Sequence, residues 1–312
     1  MIESFLASWP LFQNTYLAGW TIAVLLSLVG VLVVARDQIF IGAAISQAST
    51  LGIAAAIWLA GHLPVALSPL AGDSLHAGMA VLFSVVATLI TARAGGSGRE
   101  THEAVTGWIF LVAASLSILS LAHSPHGLEE IHRIVASSLI GSDARDVAVF
   151  AALALLSAAV LGTARSRLLL LATDPLMARA IGMRLGVWNA GIAIWLGLSI
   201  GLSIRASGLL FTFGCLVLPA LVAKNLCREM RRLVIVSPLV ALLASVVGFV
   251  LANHYDLPPA QTSTVLLCAA LAGAWSWRRA RPVSHGGEPR GSASGALVSG
   301  SPSALRQRSG GL

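Results

Sequence analysis

The sequence predicts an all-α, polytopic membrane protein with about nine transmembrane helices. Of its 312 residues, 56% are hydrophobic and only 11% are charged, whereas a soluble domain carries about 25% charged residues. The mean hydropathy is +0.84. The uncharged runs are long enough for membrane-spanning helices, while the strands of a membrane barrel would be about ten residues long and alternate in polarity.

Nine uncharged runs define the predicted spans within a transmembrane domain of residues 17–277. They are residues 17–35, 39–59, 77–92, 104–122, 147–164, 186–204, 206–223, 233–252 and 261–277. Residues 1–16 form a mildly polar N-terminal lead-in, expected at the membrane surface. Residues 278–312 are rich in Ser, Gly, Pro and Arg, which predicts a disordered cytoplasmic tail.

The basic residues orient the chain. If the N-terminus lies outside, all but three of the 20 Lys and Arg residues fall on the cytoplasmic side, the exceptions being Arg133, Arg145 and Arg205. The opposite orientation would violate the positive-inside rule almost everywhere. The net charge of +7 is therefore interpreted as a topology signal rather than as a nucleic-acid footprint.

The sequence contains no nucleotide-binding loop and no recognisable catalytic constellation. Its only lysine is Lys224, so a phosphate-binding loop with its lysine is excluded. No predicted span carries a charged residue in its interior, whereas ion-driven carriers usually need acidic relays there. The sequence thus predicts no enzyme in this chain, and a source of energy outside it.

A short charged segment, residues 172–184, separates the fifth and sixth spans. Asp174 and Pro175 are suited to begin a helix, because the carboxylate accepts free N–H groups and proline fits the first turn. Gly182 is placed to end it. The segment is either an ordinary solvated loop or a face presented to another subunit, and spacing alone does not decide between the two.

The second span contains an unusual polar cluster of Ser46, Gln47, Ser49 and Thr50. Gln47 and Thr50 share a helical face, as do Ser46 and Ser49. These side chains could line a translocation path. Alternatively, the hydroxyls bond to their own helix and Gln47 bridges neighbouring helices.

Six of the eight histidines map to the external side under this topology. They are His62, His76, His123, His126, His132 and His254. Imidazole is a common ligand of zinc and related metals, so the enrichment suggests metal capture at an outer mouth. Chance is the alternative, because polar residues must occupy loops somewhere.

Four stretches occur in the order expected for one transporter family. They are residues 30–52 (GVLVVARDQIFIGAAISQASTLG), 173–182 (TDPLMARAIG), 208–223 (GLLFTFGCLVLPALVA) and 257–267 (LPPAQTSTVLL). Together they resemble the zinc/manganese-type ABC transporter permeases over roughly residues 15–277. The resemblance implies an ABC importer permease fold in a bacterial inner membrane, with a divalent metal as cargo and no cofactor bound by this chain. Zinc is expected first, and manganese or iron next.

The resemblance also implies partners and roles. Such permeases form a homodimer within the membrane lipid, bind a cytoplasmic ABC ATPase and receive metal from a periplasmic binding protein. The implied ATPase-coupling residues are Thr173, Asp174, Pro175, Ala178, Arg179 and Gly182. The implied path residues are Ser46, Gln47, Ser49, Thr50 and Pro219.

One departure from the family concerns the metal ligands. In the second helix of the family, an Asp and a His four residues apart resemble ligands along the path. This chain has Ala43 and Gln47 at those positions, and an amide is a poor zinc ligand. The nearest candidates for metal binding are then His62, Asp73, His76, His254 and Asp256, at the external mouth.

Two other functions are weighed against metal import. A siderophore- or cobalamin-type ABC permease has a similar coupling segment, but such chains usually carry about ten spans. A membrane scaffold or sensor that moves nothing would explain the replacement of both ligands.

Overall fold

The computed structural model describes residues 2–60, 73–94, 101–122, 141–227 and 229–280, and every regular element in these ranges is a helix. The nine helices are α1 (Ile2–Ala35), α2 (Ile41–Ala60), α3 (Asp73–Ala94), α4 (His102–Leu121), α5 (Ala144–Thr173), α6 (Pro175–Ala180), α7 (Leu185–Leu226), α8 (Met230–Tyr255) and α9 (Pro259–Ala280). The predicted all-α fold is confirmed. The predicted tail begins two residues before α9 ends, and residues 281–312 lie outside the described part.

Charged residues end the apolar runs without ending the helices. The fifth predicted span stops before Arg165, yet α5 continues through Arg165 and Arg167 to Thr173. Water-exposed polar residues are compatible with a helix once it leaves the hydrocarbon layer. The helices are therefore longer than the hydrophobic runs that predicted them.

Helix α7 folds back on itself. A straight helix of its 42 residues would be about 63 Å long, twice the thickness of the hydrocarbon layer. Near its start, Asn189 accepts a 3.1 Å hydrogen bond from Arg36. Near its end, Lys224 forms a 2.8 Å ion pair with Asp37. Both ends of α7 thus lie beside the C-terminal end of α1.

Helix α7 reverses its direction at Gly208, where φ is 78° and ψ is 172°. Glycine alone adopts this backbone conformation readily, because any Cβ would clash. The halves are named α7a (residues 185–207) and α7b (residues 209–226). The sequence predicted the same two spans but placed their junction at Arg205, three residues too early.

Seven helices in the described part of the chain are long and apolar enough to cross a membrane. One of them, α7, crosses twice because of its fold at Gly208. The last helix, α9, spans 22 residues but has a more polar sequence, and it packs against α7 and α8. Each of the nine predicted spans thus corresponds to a helix or to one half of α7. The chain is a multi-pass membrane protein.

Several polar contacts define one end of the bundle, which we name the basic end. It contains the Arg36–Asn189 and Asp37–Lys224 contacts, and Arg278 at the end of α9 donates to Asn225 at 3.2 Å. The short helix α6 also lies here, because it connects the end of α5 to the start of α7a.

Helices α1 and α7 form the centre of the bundle. Ile22, Leu25 and Leu26 of α1 are fully buried, as are Ile200 and Ile204 of α7a. Most of the apolar surface of α5 points outward instead, as expected for a helix that contacts lipid. The membrane-spanning core is therefore arranged around α1 and the folded helix α7.

Glycines allow the closest helix contacts. A Cβ at Gly30 of α1 would overlap the carbonyl oxygen of Leu216 in α7b. Gly197 and Gly201 of α7a lie against the backbone of α3 in the same way. Small residues at such crossings let two backbones approach, so these positions fix how α7 packs against α1 and α3.

Residues 2–16 of the predicted lead-in (residues 1–16) belong to the same helix as the first span, with Pro10 inside it. The rings of Phe5 and Tyr16 stack with centroids 4.7 Å apart, although their Cα atoms would be about 16 Å apart along a straight helix. The helix therefore bends toward this face at Pro10, where one backbone hydrogen bond is missing. Tyr16 also donates to Asn253 at 3.3 Å, which joins α1 to the end of α8.

Candidate docking segment and translocation path

The helix predicted after the fifth span is α6, and its first residue is Pro175. The carboxylate of Asp174 accepts a 2.9 Å hydrogen bond from the backbone N–H of Met177. This is the helix cap predicted from the sequence, and it satisfies one of the N–H groups that a helix start leaves free.

Gly182 ends the helix as predicted. Its φ is 84°, in the region that favours glycine. The N–H of Met183 donates to the carbonyl of Ala178 at 3.1 Å, and the N–H of Gly182 donates to that of Arg179 at 3.0 Å. This pair of bonds is a Schellman motif, which closes the last turn.

Capped at both ends, α6 presents apolar side chains to the outside of the chain. Ala178 is completely buried, which anchors the helix. Leu176, Met177 and Ile181 are 78%, 52% and 58% exposed. Exposed apolar side chains on a rigid helix at a polar end are typical of a surface that binds another protein.

The polar cluster of α2 divides into a buried and a half-exposed part. Ser46, Ser49 and Thr50 are buried. Thr50 donates to the carbonyl of Ser46 at 3.0 Å, whereas the hydroxyls of Ser46 and Ser49 have no hydrogen-bond partner in the described chain. Gln47 is half-buried.

Ala43 and Gln47 share one half-exposed stripe of α2, one turn apart. On the other side of the helix, Gly42 packs against Leu216 and Phe213 of α7b. Pro219, the remaining predicted path residue, is buried one turn further along α7b. The predicted path residues thus lie on two neighbouring helices, and only Gln47 reaches the surface of the single chain.

The predicted external metal ligands are described only in part. His62 and the side chain of Asp73 lie outside the described residues. His76 is half-buried near the start of α3, and His254 is exposed at the end of α8. No three His, Cys, Asp or Glu side chains group closely enough for a metal ion among the residues that the structure describes. The metal-capture site stays a prediction.

Asp256 has a structural role that the sequence did not indicate. It ends α8 with a left-handed backbone, φ 52° and ψ 39°, and its N–H donates to the carbonyl of Ala252. Aspartate is one of the few residues other than glycine that tolerate this conformation.

Two polar contacts between α5 and α7a were not predicted. Arg205 pairs with Asp146 at 2.8 Å near the end opposite α6. Closer to the middle, the indole N–H of Trp195 donates to the hydroxyl of Ser157 at 3.0 Å. For the contact between Arg205 and Asp146, the available signal in the sequence was the charge of Arg205 next to a span boundary. Its partner lies 59 residues away in the sequence.

A family model describing the ABC 3 transport family matches residues 8–277. The manganese import system permease protein ScaB of Streptococcus gordonii is 24% identical over 274 residues, covering 87% of this chain and 93% of that protein. The chelated iron transport system membrane protein YfeD of Yersinia pestis is 24% identical over 251 residues, covering 80% and 79%.

A solved structure shares the fold. In PsaBC from Streptococcus pneumoniae in complex with Fab, the similar chain superposes with a TM-score of 0.72 at 17% identity, covering 88% of this chain and 95% of that chain. The likeness extends over most of both chains.

Proposed function

Because this chain belongs to the ABC 3 transport family, we propose that it is the membrane subunit of an ABC importer for a divalent metal ion. A separate ATPase subunit supplies the energy, since the sequence has no nucleotide-binding loop. The chain moves its cargo and catalyses no bond cleavage itself.

The observation that carries the proposal is the geometry of α6. A six-residue helix with both ends capped is stiff, and it connects α5 directly to α7a. A force applied to Leu176 and Ile181 by a docked ATPase would therefore move both membrane helices together. This is the arrangement needed to convert ATP-driven closure into a change of access to the path.

The basic end is proposed to be cytoplasmic. Arg179, Arg184, Arg231 and Arg279 are all exposed, and their positions on α6 and at the adjacent ends of the spans put them at the basic end. The positive-inside rule then puts this end in the cytoplasm and the N-terminus outside. In a bacterial cell this is the inner membrane, where α6 faces the compartment that contains ATP.

The cargo is proposed to be a transition metal, delivered by a periplasmic binding protein. The sequence-based expectation placed zinc first. The names of two relatives specify manganese and chelated iron, which supports a transition metal as cargo and does not single out zinc. The half-exposed stripe of Ala43 and Gln47 is proposed to face a second copy of the chain, so that a homodimer encloses the path.

Metal profiling tests this proposal. Zinc, manganese and iron are measured in cells that lack the gene and carry either wild-type protein or Leu176→Glu. Wild type restores one metal, whereas Leu176→Glu weakens ATPase binding by about tenfold and restores little. The control Leu176→Met keeps the apolar contact and restores uptake. A strain whose metal content does not depend on the wild-type gene would contradict metal import.

A metal chelate is the second candidate cargo. It is favoured by the relative named for chelated iron, and a neutral amide at Gln47 suits a ligand that already coordinates its metal. Competition assays with the bare ion and with the ion in chelated form, performed on the same cells, separate the two. If the cells take up neither the bare ion nor the chelated ion through this protein, the scaffold or sensor function is favoured instead.

A further inference from the structure

Arg36 at the basic end is a half-buried cation with a single polar contact. It follows α1 directly, and its guanidinium donates only to the side-chain oxygen of Asn189, at 3.1 Å, among the described residues. The adjacent carboxylate, Asp37, is 2.8 Å from the amine of Lys224 instead. In the described part of the chain, Arg36 therefore has no anionic partner.

A half-buried cation without a counter-charge is costly. Burial lowers the pKa of Arg36, yet a guanidinium stays charged under all conditions in which proteins fold. Removing a charge from water without a counter-charge costs free energy, and Arg36 retains N–H donors beyond the one that Asn189 accepts. The side-chain NH₂ of Asn189 makes no hydrogen bond in the described chain and adds two further donors. Arg36 and Asn189 thus form a group of donors, which we call the donor site, without an anionic acceptor among the described residues.

The position of the donor site indicates which anion fits. Asn189 lies four residues after Leu185, about 6 Å along α7a toward the membrane. Leu32, one turn before Arg36, belongs to an apolar cluster with Trp188 and Ile192. Tryptophan is enriched at the level of lipid headgroups. We therefore expect the donor site on the membrane side of α6, at the depth of lipid phosphates.

We propose that Arg36 and Asn189 bind the phosphate of an anionic phospholipid. The planar fork of arginine matches two phosphate oxygens, and the amide of Asn189 donates to a third. Because Arg36 belongs to α1 and Asn189 to α7a, the bound lipid joins these two helices beside α6. The lipid site requires only that the basic end lies at a membrane surface. If the lipid proposal is wrong, the transport proposal therefore still stands.

Thermal unfolding of the full chain in vesicles tests the site. Wild type is compared in phosphatidylcholine vesicles and in vesicles that also contain phosphatidylglycerol. The anionic lipid should raise the unfolding temperature by about 3 °C. Arg36→Gln should abolish this increment, and Arg36→Lys, which keeps the charge but not the fork, should retain only part of it. The control is Arg231→Gln, which removes an exposed arginine and should retain the full increment.

Four results would overturn the proposal. Arg36→Gln could keep the wild-type increment, or Arg231→Gln could lose as much as Arg36→Gln, which would indicate only general attraction to the membrane. Inorganic phosphate in phosphatidylcholine vesicles could give the same increment, which would identify a free anion. An increment that depends on Arg36 and appears only when the ATPase subunit is added would identify a protein carboxylate.

Discussion

The guanidinium of Arg205 in α7a lies 2.8 Å from the carboxylate of Asp146 in α5, and both side chains are about one quarter exposed, at 27% and 25%. The pair joins the two helices at the end opposite α6. Helices α5 and α7a are thereby connected at both ends, through α6 at one and through this ion pair at the other.

Arg205→Gln should lower the free energy of unfolding by about 1.5 kcal/mol, because it leaves a partly buried carboxylate without its charged donor. Asp146→Asn should have a similar effect, and the double variant should cost less than the sum of the two. The control is Arg232→Gln, which removes an exposed pair with Glu229 at 3.4 Å and should be nearly neutral. Equal effects at both pairs, measured by denaturant unfolding in detergent, would contradict this ranking.

Gly208→Ala should destabilise the chain by about 1–3 kcal/mol, because alanine must adopt a φ and ψ that its Cβ disfavours. Gly107 of α4 is the matched control, since a Cβ there meets nothing within 4 Å and the helix is regular. Gly107→Ala should leave the unfolding temperature unchanged or slightly raised. If Gly208→Ala unfolds at the wild-type temperature, the fold of α7 does not depend on this glycine.

Gly30→Ala tests the contact between α1 and α7b. The added methyl group would overlap the carbonyl of Leu216, and a backbone atom cannot move aside as a side chain can. The variant should insert poorly or unfold at a markedly lower temperature. Gly162→Ala on α5, where the methyl group enters open space, should behave like wild type. A Gly30→Ala protein with wild-type stability would show that α1 and α7b can move apart without a loss of stability.

Asp174→Ala should uncouple ATP hydrolysis from metal uptake. Loss of the cap weakens α6 by about 1 kcal/mol, and a frayed helix transmits force poorly. Asp174→Asn is the control, because asparagine caps helices as well as aspartate does and should retain coupling. The readout is metal transported per ATP hydrolysed in the reconstituted complex. A ratio that is unchanged in Asp174→Ala, with normal insertion, would exclude a coupling role for the cap.

The local structure of α6 was predictable because its signals are close in sequence. Asp174, Pro175 and Gly182 specify where a helix begins and ends, and the structure agrees at each position. The spans were predictable for a similar reason, since hydropathy is a local property. Their ends were not, because a helix such as α5 continues into water after its apolar run stops.

Contacts between distant residues were not predictable. Arg36 and Asn189 are 153 positions apart, and nothing in either sequence neighbourhood indicates the other. The polar cluster of α2 was located correctly as a group, but which members face inward depends on the position of α7b. Among the described residues, the external histidines form no complete set of metal ligands. The prediction of a metal-capture site therefore still rests on the topology predicted from the basic residues.

The single-residue turn at Gly208 has a consequence for how the protein is made. No loop separates α7a from α7b, and the nearest charge, Arg205, is paired with Asp146 of α5. We therefore expect the two halves to enter the lipid bilayer together, as one helical hairpin. An epitope tag or a glycosylation acceptor placed at this turn would report on assembly rather than on topology.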